Sequence, residues 1–250
     1  MTAPSLVLLP GLGADPRLFE PQRGEFPGLI SPEWLVPRDH ESLSSYAARM
    51  AEVVRARVPR GTEIVLGGVS FGGMLAAEMS GILRPRTLVL IGSALSPGEI
   101  APGMRVAATL GRFVPQAVGA RSRKLGRVFI RQLGPMGRKD REFLETMIDA
   151  VPFSFLKWAG GAIFGWGGAR PSCPVVRVHG DKDRIIPLGS AGVDVVLKNA
   201  GHVPSVSHAM EVNEVLRRVM GGARRARPVS SGHTDAHDER GESRARGRVT

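Results

Sequence analysis

A chain of 250 residues, 42% of them hydrophobic, can bury a complete α/β core, which excludes disorder for most of its length. No stretch approaches the ~18 apolar residues that span a bilayer, residues 1–10 lack the basic start and small-residue cleavage site of a signal peptide, and the one cysteine, Cys173, excludes an internal disulfide and a cysteine-built zinc site, so a cytoplasmic protein is expected. The formal charge of +11 sits in two places, residues 105–141 with ten Lys or Arg against Asp140 alone and residues 222–250 with seven Arg against four acids, so an acidic partner would meet these segments and little else.

Residues 5–9 form an apolar run stopped by Pro10 and Gly11, the pattern of a buried parallel strand. A second short run, 34–36, is closed by Pro37. Ser42 then caps a helix whose Leu43, Tyr46, Ala47, Met50 and Val54 share one face and which ends before Pro59. Residues 63–69 predict a third strand, 72–83 a helix stopped by Pro85, and 87–91 a fourth strand. Strands at 174–178 and 193–197 follow, and a last helix carries Val212, Val215, Leu216 and Val219 before Gly221 and Gly222. Strands alternating with helices predict a mostly parallel sheet of about six strands, covered by helices on both faces.

Two segments break this rhythm. Residues 96–170 contain short apolar pieces rich in Gly and Pro, with Phe153, Phe155, Trp158, Phe164 and Trp166 in the second half; they are expected to form a helical insertion that covers something. The expected core is then 1–95 with 171–221. Residues 222–250 hold almost no large apolar side chain, cannot offset their own ordering entropy, and are expected to form a disordered basic tail.

Chemistry enters at Gly68-Val69-Ser70-Phe71-Gly72, a G-x-S-x-G pattern in which a serine occupies a sharp strand-to-helix turn. In a chain with 32 glycines the pattern is weak by itself; the apolar strand leading in and the helix leading out give it weight. A serine hydroxyl needs a base to take its proton and an acid to hold that base. His202 lies on a loop after the last strand, where sites of parallel sheets collect, while His40, His179, His208, His233 and His237 sit elsewhere. Two carboxylates, Asp181 and Asp183, follow the fifth strand within His179-Gly-Asp-Lys-Asp183.

The elbow, the insertion, the H-G-x-x-D pattern at 179–183 and the late Gly201-His202, in the order Ser, Asp, His, resemble the α/β-hydrolase superfamily over roughly residues 5–220. The resemblance implies an α/β-hydrolase fold in which 96–170 is the cap. It also implies Asp183 as the acid, with Asp181 the runner-up, and an oxyanion hole from the backbone N–H groups of Phe71 and Leu12, with Gly13 the alternative to Leu12. The chain departs from relatives in having Pro10 where many carry His, and in lacking the strands that precede the first one here, hence a reduced sheet. Serine at the elbow implies acyl chemistry. A small to medium apolar carboxylic ester is the expected substrate, a thioester, a carrier-linked ester or a carbon–carbon bond is the alternative, and a non-catalytic binding protein is a further one. No cofactor and no metal are implied. Some capped relatives, such as pimeloyl-carrier methyl esterases, meet an acyl carrier protein through cap arginines, so the basic cap here is expected to face an acidic carrier protein or an anionic surface, and nucleic acid is not expected as a partner.

Overall fold

The computed structural model describes residues 3–104, 129–189 and 192–222. Most of the basic half of the insertion and nearly the whole expected tail therefore lie outside the described residues. Five strands, β1 (Ser5–Leu9), β2 (Ile64–Val69), β3 (Thr87–Ile91), β4 (Val175–Gly180) and β5 (Val195–Leu197), form one parallel sheet whose spatial order equals their chain order. All five residues of β3 are buried. Successive strand side chains point to opposite faces, so both faces are covered, as the uninterrupted apolar runs require.

The α-helices with both ends among the described residues are α1 (Glu20–Arg23), α2 (Leu43–Arg57), α3 (Phe71–Leu83), α4 (Arg138–Ile148), α5 (Phe153–Phe164), α6 (Pro204–Ser207) and α7 (Ala209–Met220). The Ser42 hydroxyl accepts from the Ser45 N–H at 3.2 Å and starts α2, which buries Leu43, Tyr46, Ala47, Met50 and Val54 together with Ala51. Helix α3 lies over β1, β2 and β3 with α2 packed against it, while α1, α6 and α7 form a second packed group. No helix among the described residues is long and apolar enough to cross a membrane.

The sheet is one strand shorter than the sequence predicts. Residues 34–36 are not a strand; the chain touches β1 four residues earlier, through a single bridge in which Ile30 pairs with Val7. Trp34 has another task. Its indole N–H donates to the Ala14 carbonyl at 2.9 Å and its ring packs on Phe71 and Phe155 at centroid distances of 5.7 and 5.3 Å, so it braces the loop that leaves β1.

The aromatics of 153–166 divide in the same way. Phe155 and Trp158 join Trp34, Tyr46 and Phe71 in one cluster, and the indole N–H groups of Trp158 and Trp166 donate to the Glu41 carbonyl and the Glu78 carboxylate at 2.8 and 2.7 Å. These contacts fasten the segment between β3 and β4 onto α2 and α3.

Candidate active site

Strand β2 runs straight into Ser70, whose φ of 51° and ψ of −120° put a non-glycine residue in a left-handed, sparsely allowed conformation. Such backbone costs about 1–3 kcal/mol and persists only where its surroundings enforce it. The glycines on either side permit the turn. A Cβ on Gly68 would lie 2.5 Å from the Gly72 carbonyl carbon, and one on Gly72 would collide with the carbonyl oxygens of Leu9 and Pro10. Backbone atoms on both sides cannot step aside, so Gly72→Ala is expected to destabilise the fold by about 2 kcal/mol or more, read by urea denaturation. An unchanged midpoint would show that the elbow can relax.

The turn lifts the Ser70 hydroxyl toward His202. Oγ and His202 Nε2 are 2.7 Å apart, and His202 Nδ1 is 2.8 Å from Asp183 Oδ2. Asp183 Oδ1 accepts from the N–H groups of Ile185 and Ile186 at 2.8 and 2.9 Å. Burial would raise the Asp183 pKa, yet the His202 charge, the hydrogen bonds of His179 and His202 and the Ile186 amide outweigh it and hold the carboxyl well below the usual range. With both ring nitrogens of His202 engaged, Nδ1 donating to the carboxylate leaves Nε2 free to accept the serine proton. The segment between β3 and β4 also holds this loop, because the His202 backbone N–H donates to the Leu133 carbonyl at 2.6 Å.

Asp181 lies apart from this chain of bonds. Its Oδ2 is 3.9 Å from Lys198 Nζ, and its buried Oδ1 has no hydrogen-bond partner. The loop after β1 runs beside the elbow, since a Cβ on Gly11 would sit 3.6 Å from Ser70 Cβ. Leu12 lines both cavities that open at Ser70. Phe71 is the first residue of α3, where backbone N–H groups lack intrahelical acceptors.

Those two cavities are apolar. One, of about 90 Å³, is bounded by Phe71, Met74, Met104, Ile163, Ile185 and Ile186; the other, of about 40 Å³, by Leu18, Ile130, Leu144, Ile148 and His202. Apart from Ser70 and His202, no residue described in either wall carries a polar side chain. Among the described residues no group of three His, Cys, Asp or Glu is placed to hold a metal ion.

Two neighbours of the site escaped the sequence reading. Ser93, just after β3, donates its hydroxyl to the Ser70 carbonyl at 2.7 Å, and His179 of β4 lies 3.1 Å from Asp183 Oδ2. His179 was visible in the 179–183 pattern, but only the turn at 183–186 reveals what its ring meets; Ser93 had no signal at all.

The model of the alpha/beta hydrolase family matches residues 6–215. A search of curated protein sequences gives no match. Among solved structures, an N-acyl homoserine lactonase complexed with N-hexanoyl homoserine is similar at a TM-score of 0.70 and 19% identity, covering 87% of this chain and 88% of the other. The enol-lactonase from Burkholderia xenovorans LB400 reaches 0.70 at 14% identity over 88% and 92% of the two chains, and an esterase from Exiguobacterium antarcticum 0.69 at 14% over 88% and 93%. At such identities the likeness speaks for the fold.

Proposed function

This chain belongs to the alpha/beta hydrolase family and is a hydrolase; from that premise we propose that it is a serine carboxylic ester hydrolase with Ser70 as nucleophile, His202 as base and Asp183 as the orienting acid. The observation that carries the reading is the unbroken hydrogen-bonded line from Ser70 through His202 to Asp183 at a strained elbow between two apolar cavities.

In this mechanism His202 Nε2 takes the Ser70 proton as Oγ attacks the ester carbonyl carbon. The carbonyl oxygen becomes an oxyanion facing the N–H groups of Phe71 and Leu12. The tetrahedral carbon then expels the alcohol, whose oxygen takes the proton back from His202, and an acyl-enzyme remains on Ser70. Water, deprotonated by His202, attacks that acyl carbon; the second oxyanion collapses, the bond from carbon to Oγ breaks, Oγ takes the proton from His202, and the acid leaves. Proton return must happen beside His202, so the smaller cavity, which His202 lines, takes the alcohol side. The larger one takes the acyl chain. The described parts of the insertion, residues 96–104 and 129–170, supply the cap side of both.

A series of p-nitrophenyl esters from acetate to palmitate tests the reading. Each methylene buried in an apolar pocket is worth roughly 1 kcal/mol or somewhat more, so kcat/KM is expected to rise at least about tenfold from acetate to a medium chain before falling. Ile163→Trp, at the rim of the larger cavity, is expected to cost medium-chain esters about tenfold and acetate little. Absence of hydrolysis across the series would remove the ester assignment.

A further inference from the structure

One buried titratable group that the mechanism does not use lies against Asp183. His179, next to last in β4, is 2% exposed, and its Nε2 lies 2.5 Å from the Ile186 carbonyl oxygen and 3.1 Å from Asp183 Oδ2. A carbonyl oxygen can only accept, so Nε2 carries a proton. That proton is donated to Ile186, and the same N–H edge lies 3.1 Å from Asp183 Oδ2, the oxygen which also accepts from His202 Nδ1. The Asp183 carboxylate therefore has two amides on Oδ1, His202 Nδ1 on Oδ2 at 2.8 Å, and the His179 N–H, whose near acceptor is Ile186, as a longer fourth contact on Oδ2 at 3.1 Å. Among the described residues, His179 and His202 are the titratable side chains in contact with it.

We infer that His179 is a positioning residue that fixes Asp183 and sets how strongly that carboxylate holds the His202 ring, by sharing the carboxylate oxygen while anchoring the 183–186 turn through Ile186. The inference rests on the Ser70, His202, Asp183 reading. Its physical content is competition at one oxygen. A donor from His179 draws electron density from Oδ2, weakening the pull on the His202 Nδ1 proton and keeping the imidazolium from being held too tightly. The same ring locks the Ile186 carbonyl, and with it the turn whose two amides hold Oδ1 and whose Ile185 and Ile186 side chains line the larger cavity. Acid position and cavity wall are thus tied through one imidazole.

Removing the donor makes Oδ2 more basic, which stabilises the charged His202. His202 then titrates at higher pH, and the sign is the same whether the lost His179 ring was neutral or charged. The test is an NMR titration of the histidine rings in wild type, His179→Leu and His179→Gln, which needs no substrate and so separates this inference from the ester assignment. Glutamine carries an N–H donor at similar reach. In His179→Leu, His202 is expected to titrate about half a pH unit higher or more, with kcat on a p-nitrophenyl ester at least about tenfold lower and KM little changed. His179→Gln should restore most of both. In the wild type the His179 ring should carry its proton on Nε2, a reading that survives even if the leucine variant does not fold. An unshifted His202 in His179→Leu, an equal rate loss in both variants without any shift, or a wild-type ring lacking the Nε2 proton would overturn it.

Discussion

Replacing Ser70 by alanine is expected to lower ester hydrolysis by about 10³-fold or more while the protein folds normally. Without Oγ no acyl-enzyme can form, and what remains is the modest effect of bringing ester, His202 and water together between the two apolar cavities. Stability should move the other way or hardly at all. The serine contributes strain, φ 51° on a residue with a Cβ, in exchange for aiming its hydroxyl. Ser70→Gly makes this sharper. Glycine adopts positive φ at no steric cost, so this variant should be inactive and more stable by up to about 1 kcal/mol, measured by urea denaturation against wild type. An alanine variant with wild-type turnover would end the mechanism proposed here.

Asp183→Asn is the second large effect. An asparagine amide cannot hold the His202 ring with Nδ1 as donor and Nε2 as acceptor, and serine proteases that lose their acid this way slow by about 10⁴-fold. A comparable loss is expected here, set against a small one for Asp181→Asn, whose carboxylate pairs with Lys198 at 3.9 Å and lies outside the Ser70–His202–Asp183 line. The reverse ranking would move the acid to Asp181. The charge state of Asp183 also has a consequence for stability. Its folded pKa lies below the unfolded value, so the contribution of the ionised carboxylate is present above about pH 4 and is lost as pH falls through the folded pKa. Protonation of Asp183 therefore plays no part in any change of rate or stability seen between about pH 5 and 8.

Much of this site was written locally. The glycines of 68–72 are needed because β1 and the first turn of α3 approach within contact of them, a constraint that leaves its mark on the sequence itself. Ser70 and His202, named from their places after two different strands, and Asp183, implied by the resemblance, lie in one hydrogen-bonded line. Choosing between Asp181 and Asp183 took the resemblance to relatives, because two carboxylates two residues apart look alike until the turn at 183–186 presents its amides to one of them.

What was not legible depends on contacts between distant segments. Residues 34–36 have the apolar character of a strand, yet pairing with β1 occurs at Ile30, and Trp34 is drawn away by an acceptor at Ala14 and by the faces of Phe71 and Phe155. Composition cannot tell an aromatic that lines a cavity from one that fastens a segment down. Phe164 lines the larger cavity while Phe155 and Trp166 are buried in packing, although all three belong to one Gly-rich stretch. The basic residues from Arg105 to Arg127 and those of the expected tail lie outside the described residues, so a carrier or anionic surface at the cap rests on charge alone.

The central claim is that Ser70 forms a covalent acyl-enzyme, and the most direct measurement traps that bond. A fluorophosphonate reacts with a serine only where a base activates the hydroxyl and donors face the developing oxyanion. Incubation with such a probe, followed by intact-mass and peptide-mapping mass spectrometry, should give one adduct per chain, on the peptide containing Ser70, and none in His202→Ala over the same time. An unlabelled wild-type protein, or an adduct on a residue other than Ser70, would contradict the account.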